Sequence, residues 1–99
     1  MPDSPLKVFE TLDPELLKSV ESARELALGE GVIPRKYKYL MAVALDAAHG
    51  SEKGVNGLTQ IAMNYGASKE EIAEALRVTY FISGAGSAYT AARGLTGLF

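Results

Sequence analysis

Apolar positions recur along most of this chain at the three- and four-residue spacing of amphipathic helices. In "LDPELLKSVESARELALGEG", Leu16, Val20, Ala23 and Ala27 fall on one helical stripe. Asp13 is a natural N-cap ahead of Pro14, whose fixed φ suits a first helical turn, and Glu15 meets the positive end of the helix dipole. Gly29 or Gly31 ends that helix. A second helix opens at Pro34 with "PRKYKYLMAVALDAAHG" and stops at Gly50. From Leu40 to Ala48 it is apolar on nearly every side, broken only by Asp46, which is the pattern of a central helix.

A third helix is predicted from about Ser51 to Tyr65, with Gly66 as its stop. The fourth begins at "SKEE", where Ser68 caps, Glu71 reaches back, and Ile72, Ala75, Leu76 and Thr79 supply the apolar face. "VTYFISGAGSAYTAARGL" then reads as the end of helix four, a break at Gly84 and Gly86, and a fifth helix to about Arg93. Pro2, Pro5 and their neighbours make residues 1–12 an extended arm, and "GLTGLF" is a short tail. No segment keeps the two-residue alternation of a strand. The predicted fold is all-α: a compact bundle of about five helices, one domain over residues 1–99.

Composition narrows the chemistry. The 99 residues include no cysteine and carry a formal net charge of −2. Without cysteine there is no disulfide, no thiolate metal site and no thiol redox chemistry. A mildly acidic protein has no general attraction for phosphate backbones or anionic lipid. The apolar run "YLMAVALDAA" is far too short to span a bilayer, and the first residues lack a basic and apolar leader. The expected location is the cytoplasm, with no nucleic-acid and no membrane partner.

The glycine turn near residue 66 fits two motifs. Ala62, Gly66 and Ile72 sit where a helix-turn-helix wants a small residue, a turn glycine and a buried β-branched residue. That reading would lay "SKEEIAEALRV" in a major groove, presenting Glu70, Glu71 and Glu74 to phosphates that repel them. DNA binding is therefore the weaker reading.

The stronger one needs the flanking helices. "PRKYKYLMAVALDAAHG", a short break, and "GLTQIAMNYGASKEEIAEALRVTYFISGAGSAYTAARGL" together resemble the carboxymuconolactone decarboxylase family, which includes the alkylhydroperoxidase D-like proteins. The resemblance covers residues 34–95, and "AMNYGASKEEIAEAL" is its most specific stretch. In the family's peroxidase branch the working groups follow E-x(11)-C-x(2)-C-x(3)-H. Anchored on Ala62 and Gly66, that pattern puts the glutamate at Tyr39, the cysteines at Ser51 and Gly54, and the histidine at Leu58. All four reactive groups are replaced. A thiol lowered in pKa at a helix N-terminus, and a His/Glu relay to carry its proton, cannot be built from these side chains. A thiol peroxidase is excluded on chemistry, and the decarboxylase branch loses its usual histidine as well.

His49 and Tyr39 are the remaining catalytic candidates, and Ser51, Gly54 and Leu58 mark the substrate pocket by family position. His49 could be a general acid/base oriented by Asp46, or simply a histidine suited to the negative end of a helix. Ser51 suits an N-cap better than a nucleophile, since no His and Asp pair is set to activate it. Gly54 and Gly57 imply a late helix start or the close approach of another backbone or a ligand. No metal site and no cofactor is expected. The apolar second helix and the small-residue run "SGAGSAYTAA" leave too much for one small subunit to hide, so a homo-oligomer is expected. The resemblance implies a trimer or a hexamer. Two functions stay open: altered chemistry on, or binding of, a small organic acid or lactone, and a non-catalytic helical assembly.

Overall fold

The computed structural model describes residues 5–99, and all of their regular structure is helical. A 3-10 turn over Pro5–Val8 leads into α1 (Phe9–Leu12) and α2 (Pro14–Leu28), followed by α3 (Arg35–His49), α4 (Glu52–Asn64), α5 (Lys69–Ser83) and α6 (Ala85–Leu95). The extended arm expected over residues 1–12 is thus helical from Pro5 onward. Proline has no N–H to leave unsatisfied, so it opens a helical turn as readily as an extended segment. The part of that expectation covering residues 1–4 lies outside the described residues.

Local signals set the helix ends. Asp13 Oδ1 accepts from the Leu16 N–H at 3.1 Å, and Ser51 Oγ accepts from the Gly54 N–H at 3.2 Å. The capping box before α5 is complete: Ser68 Oγ accepts from the Glu71 N–H at 3.1 Å, while Glu71 Oε1 accepts from the Ser68 N–H at 2.9 Å. Gly50 ends α3 in the left-handed region, at φ 84°. The break between α5 and α6 is narrower than the sequence implied. Gly84, at φ 86° and ψ −179°, occupies a region that only glycine visits freely, and it alone separates the two helices. Gly86 lies inside α6, where ordinary helical dihedrals need no special residue.

α3 is the hub, packing against α4, α5 and α6. One buried cluster joins Val43 and Ala47 of α3, Val55 of α4 and Ala91 of α6. A second joins Leu40, Ala62, Ala67 and Ile72. α6 approaches α4 closely at Gly94, where an added Cβ would lie 2.8 Å from the Val55 side chain and 2.7 Å from the Glu52 carbonyl. Asn56 Nδ2 donates to the Gly94 carbonyl at 2.9 Å across the same contact. α3 and α5 run parallel. Lys36 pairs with Glu71 at 3.1 Å near their starts, and Ala44, Leu45 and Ala48 meet Val78, Thr79 and Ile82 further along.

α2 behaves differently. It buries none of its residues, and the radius of gyration, 14.2 Å, exceeds the roughly 13 Å of a compact chain this long. Polar contacts tether its C-terminal end: Lys38 Nζ donates to the Gly29 carbonyl at 2.9 Å, and Arg35 lies 3.8 Å from Glu25.

Candidate functional site

The motif positions line the seam between α3 and α4. On α3, Tyr39, Ala42, Asp46 and His49 share one stripe at helical spacing, and Gly54, Leu58 and Ile61 of α4, with Tyr65 at its C-terminal cap, do the same. The two helices form a hairpin across Gly50, so Tyr39 meets Tyr65 at one end and Asp46 meets Gly54 at the other.

At the Tyr39 end the rings of Tyr39 and Tyr65 stack, with centroids 5.5 Å apart and planes 12° from parallel. Arg35 lies over Tyr65, 5.7 Å from its centroid, and Nη1 donates to the Tyr65 hydroxyl at 3.3 Å. That hydrogen bond, then the charges of Glu30 and Glu25, hold the guanidinium still more firmly protonated. Tyr39 itself packs against the cluster of Leu40, Ala62, Ala67 and Ile72. At this position the side chain fills space and stacks.

Ser51 caps α4 through its hydroxyl. Leu58, partly buried, packs against the cluster of Val43, Ala47, Val55 and Ala91. Gly54 does not mark a late helix start, because α4 already begins at Glu52. What the position accommodates is Asp46: a Cβ at residue 54 would overlap the Asp46 carboxylate, and would stand 2.7 Å from Ser51 Oγ. Nothing lies within 4 Å of a Cβ at Gly57, and nothing in the structure explains that glycine. His49 is the last residue of α3 and exposed. Among the described residues it forms no ion pair or hydrogen bond with Asp46.

Among known families, residues 14–96 match the carboxymuconolactone decarboxylase family. The chain belongs to the carboxymuconolactone decarboxylase family. Comparisons with curated proteins and with solved structures give no match. Family membership reaches back to Pro14, so α2 belongs to the family's unit and not only the helices from Pro34 onward.

Within this carboxymuconolactone decarboxylase-family fold, the absence of cysteine removes the thiol chemistry outright. Asp46, read from the sequence only as an orienting partner for His49, is the carboxylate that the structure brings to the motif. Its partly buried carboxylate has no ion pair or side-chain hydrogen bond among the described residues, and it stands over the position of the second motif cysteine. The sequence signal was the single charge in the apolar run from Leu40 to Ala48. Its significance needed the register of α3 on α4. Among the described residues no group of three or more His, Cys, Asp or Glu is placed to hold a metal ion, and no helix is long and apolar enough to cross a membrane.

Two clefts lie away from the motif positions. A cleft of about 350 Å³ opens between α5 and the chain's end, lined by Ile72, Ala73, Leu76, Leu95 and Phe99, with Lys69 and Glu70 at its mouth. A smaller one, about 170 Å³, lies between α3 and α5 along Ala44, Leu45, Ala48, Val78 and Ile82. Neither is lined by Tyr39, His49, Ser51, Gly54 or Leu58.

Proposed function

We propose that this chain is a homo-oligomeric, cytoplasmic binding member of the family, which takes up a small, largely apolar organic acid or lactone without the family's relay chemistry. The cleft along Ile72, Leu76, Leu95 and Phe99 carries this reading. Its volume falls within the roughly 300–1,000 Å³ usual for small-molecule sites, and its apolar wall suits a hydrocarbon or lactone ring. Lys69 at the mouth supplies a cation for an acid group. The motif positions support the same reading from the other side, since Tyr39, Ser51 and Leu58 are engaged in stacking, capping and packing.

The test is native mass spectrometry, followed by titration calorimetry with a muconolactone. The expected result is a small adduct or measurable heat, abolished by Leu76→Trp, which fills the cleft, and unchanged by His49→Ala. Absence of both adduct and heat in the unaltered protein would remove the binding reading.

One observation favours a second reading. The Asp46 carboxylate, unpartnered beside Ser51 at the N-terminus of α4, has the chemistry of a general base. Turnover of a lactone that falls with Asp46→Asn while His49→Ala leaves it intact would select this reading. Turnover indifferent to Asp46→Asn would dismiss it.

A further inference from the structure

The outer face of α3 and α5 is apolar and has no partner among the described residues. Phe81 is 85 % exposed and Ile82 74 %, with Val78, Leu45 and Met41 about half to two-thirds exposed beside them. The floor between the two helices is made of Ala44, Ala48, Thr79 and Ser83, side chains short enough to let another helix come close. With about 150–200 Å² to a whole large side chain, the five large residues offer on the order of 600 Å². That approaches the ~800 Å² per partner of a standard interface and reaches the upper end of what a monomer leaves in one patch.

Charge decides what covers it. No charged side chain lines the cleft, and the sequence from Val78 to Ala92 contains none at all. A lipid-surface helix rims its apolar face with Lys and Arg, and a nucleic-acid face needs cations for phosphate. Arg77, four residues before Phe81, borders the face, and Lys38 is turned to the Gly29 carbonyl, so neither cationic rim is built. A two-fold contact between identical subunits sets a patch against itself, so any net charge there would repel its own copy, whereas an uncharged patch meets no such penalty.

We infer that the α3/α5 face, centred on Val78, Phe81, Ile82, Leu45 and Met41, packs against the same face of a second copy of this chain. The assignment rests on the self-association proposed above and adds its location. α2, with an equally exposed Leu26 but charges along its length, lies outside the contact.

Sedimentation equilibrium of the full chain at up to about 100 µM, where mass action favours assembly, tests it beside the double variant Phe81→Glu/Ile82→Glu. Both positions are exposed, so helicity by circular dichroism should be kept. The expected result is a lower subunit count for the variant. An unchanged count overturns the assigned face while leaving self-association standing. A parent protein that stays monomeric overturns self-association and the face with it, and a monomer that instead co-sediments with phosphatidylcholine vesicles gives the face to lipid and overturns the proposal.

A second measurement does not depend on the variant's folding. Because the chain has no cysteine, Ile82→Cys and Leu26→Cys each place one reporter thiol. The Ile82→Cys protein should react with a thiol reagent at least about tenfold more slowly than Leu26→Cys under assembling conditions, the gap closing on dilution as mass action requires. Equal rates in the assembled protein overturn the proposal.

Discussion

α2 and α3 are each fifteen residues long, each begins beside a proline, and each carries apolar residues at helical spacing. α3 nevertheless packs on α4, α5 and α6, while α2 buries nothing. The difference is not in helix formation. Asp13 and Pro14 start α2 as firmly as anything starts α3. It lies in the width of the apolar surface: Leu40 to Ala48 is apolar around almost the whole helix, so three neighbours can share it, whereas α2 alternates Lys18, Glu21, Arg24 and Glu25 with its apolar positions. Local chemistry makes a helix, and the breadth of its apolar surface decides how many partners it can hold.

The sharpest way to break that contrast is to damage the bundle and watch whether α2 notices. Ile72→Ala, at a side chain 2 % exposed, should cost about 2–5 kcal/mol in chemical denaturation. A loss below 1 kcal/mol would mean the cluster around Leu40 and Ala62 is not the stabilising centre described.

Next in size is a pair of glycines with opposite signs. Gly94→Ala drives a methyl into Val55 and the Glu52 carbonyl and should destabilise by about 1–3 kcal/mol, the usual range for overpacking. Gly57→Ala meets open space in the middle of α4 and should stabilise by up to about 1 kcal/mol through helix propensity. A Gly94→Ala protein that melts no lower than the parent would contradict the close approach of α6 to α4, and a lowered melt for Gly57→Ala would contradict the open space at residue 57.

A smaller effect should follow pH. The Glu71 carboxyl is held below its ordinary pKa by the hydrogen bond from the Ser68 N–H, and next by Lys36. The stability it lends is therefore present above the unfolded carboxylate value of about 4.3 and is lost as pH falls through the lower folded value. Lys36 is raised by the same partner, so its share is lost only as pH rises through that raised value. Acid titration of the melting midpoint should be steeper in the parent protein than in Glu71→Gln. Superimposable profiles would remove the capping box and the ion pair from the stability argument.

The smallest effect belongs to α2. Leu26→Ala, at a residue 86 % exposed, should stay within about 0.5 kcal/mol of the parent. A larger loss in the melting midpoint would reveal a partner for α2 and erase the contrast with α3.

Most helix boundaries were legible in the sequence because they depend on neighbours a few residues away: Asp13 with Leu16, Ser51 with Gly54, Ser68 with Glu71. Where reading along the chain faltered, geometry intervened. Pro5 suits an extended segment or a helical first turn equally, and composition does not choose between them. Gly84 and Gly86 look alike as letters, yet only Gly84 takes a positive φ. The candidate site was less legible, since its meaning lies between helices. Replacement of the four motif groups could be read position by position. That Tyr39 stacks on Tyr65, that Leu58 packs against the core, and that Asp46 covers Gly54 all depend on the register of α3 against α4.

The overlap at Gly54 bears on descent. A single codon change that placed a thiol there would set its Cβ against the Asp46 carboxylate before any substrate could reach it. A lineage passing between this protein and the thiol-bearing branch must therefore turn the Asp46 carboxylate aside, or replace it, as residue 54 gains a side chain. Sequences that kept the aspartate would carry the cost of a new Asp46 rotamer into the exchange, to be set against whatever the thiol gains.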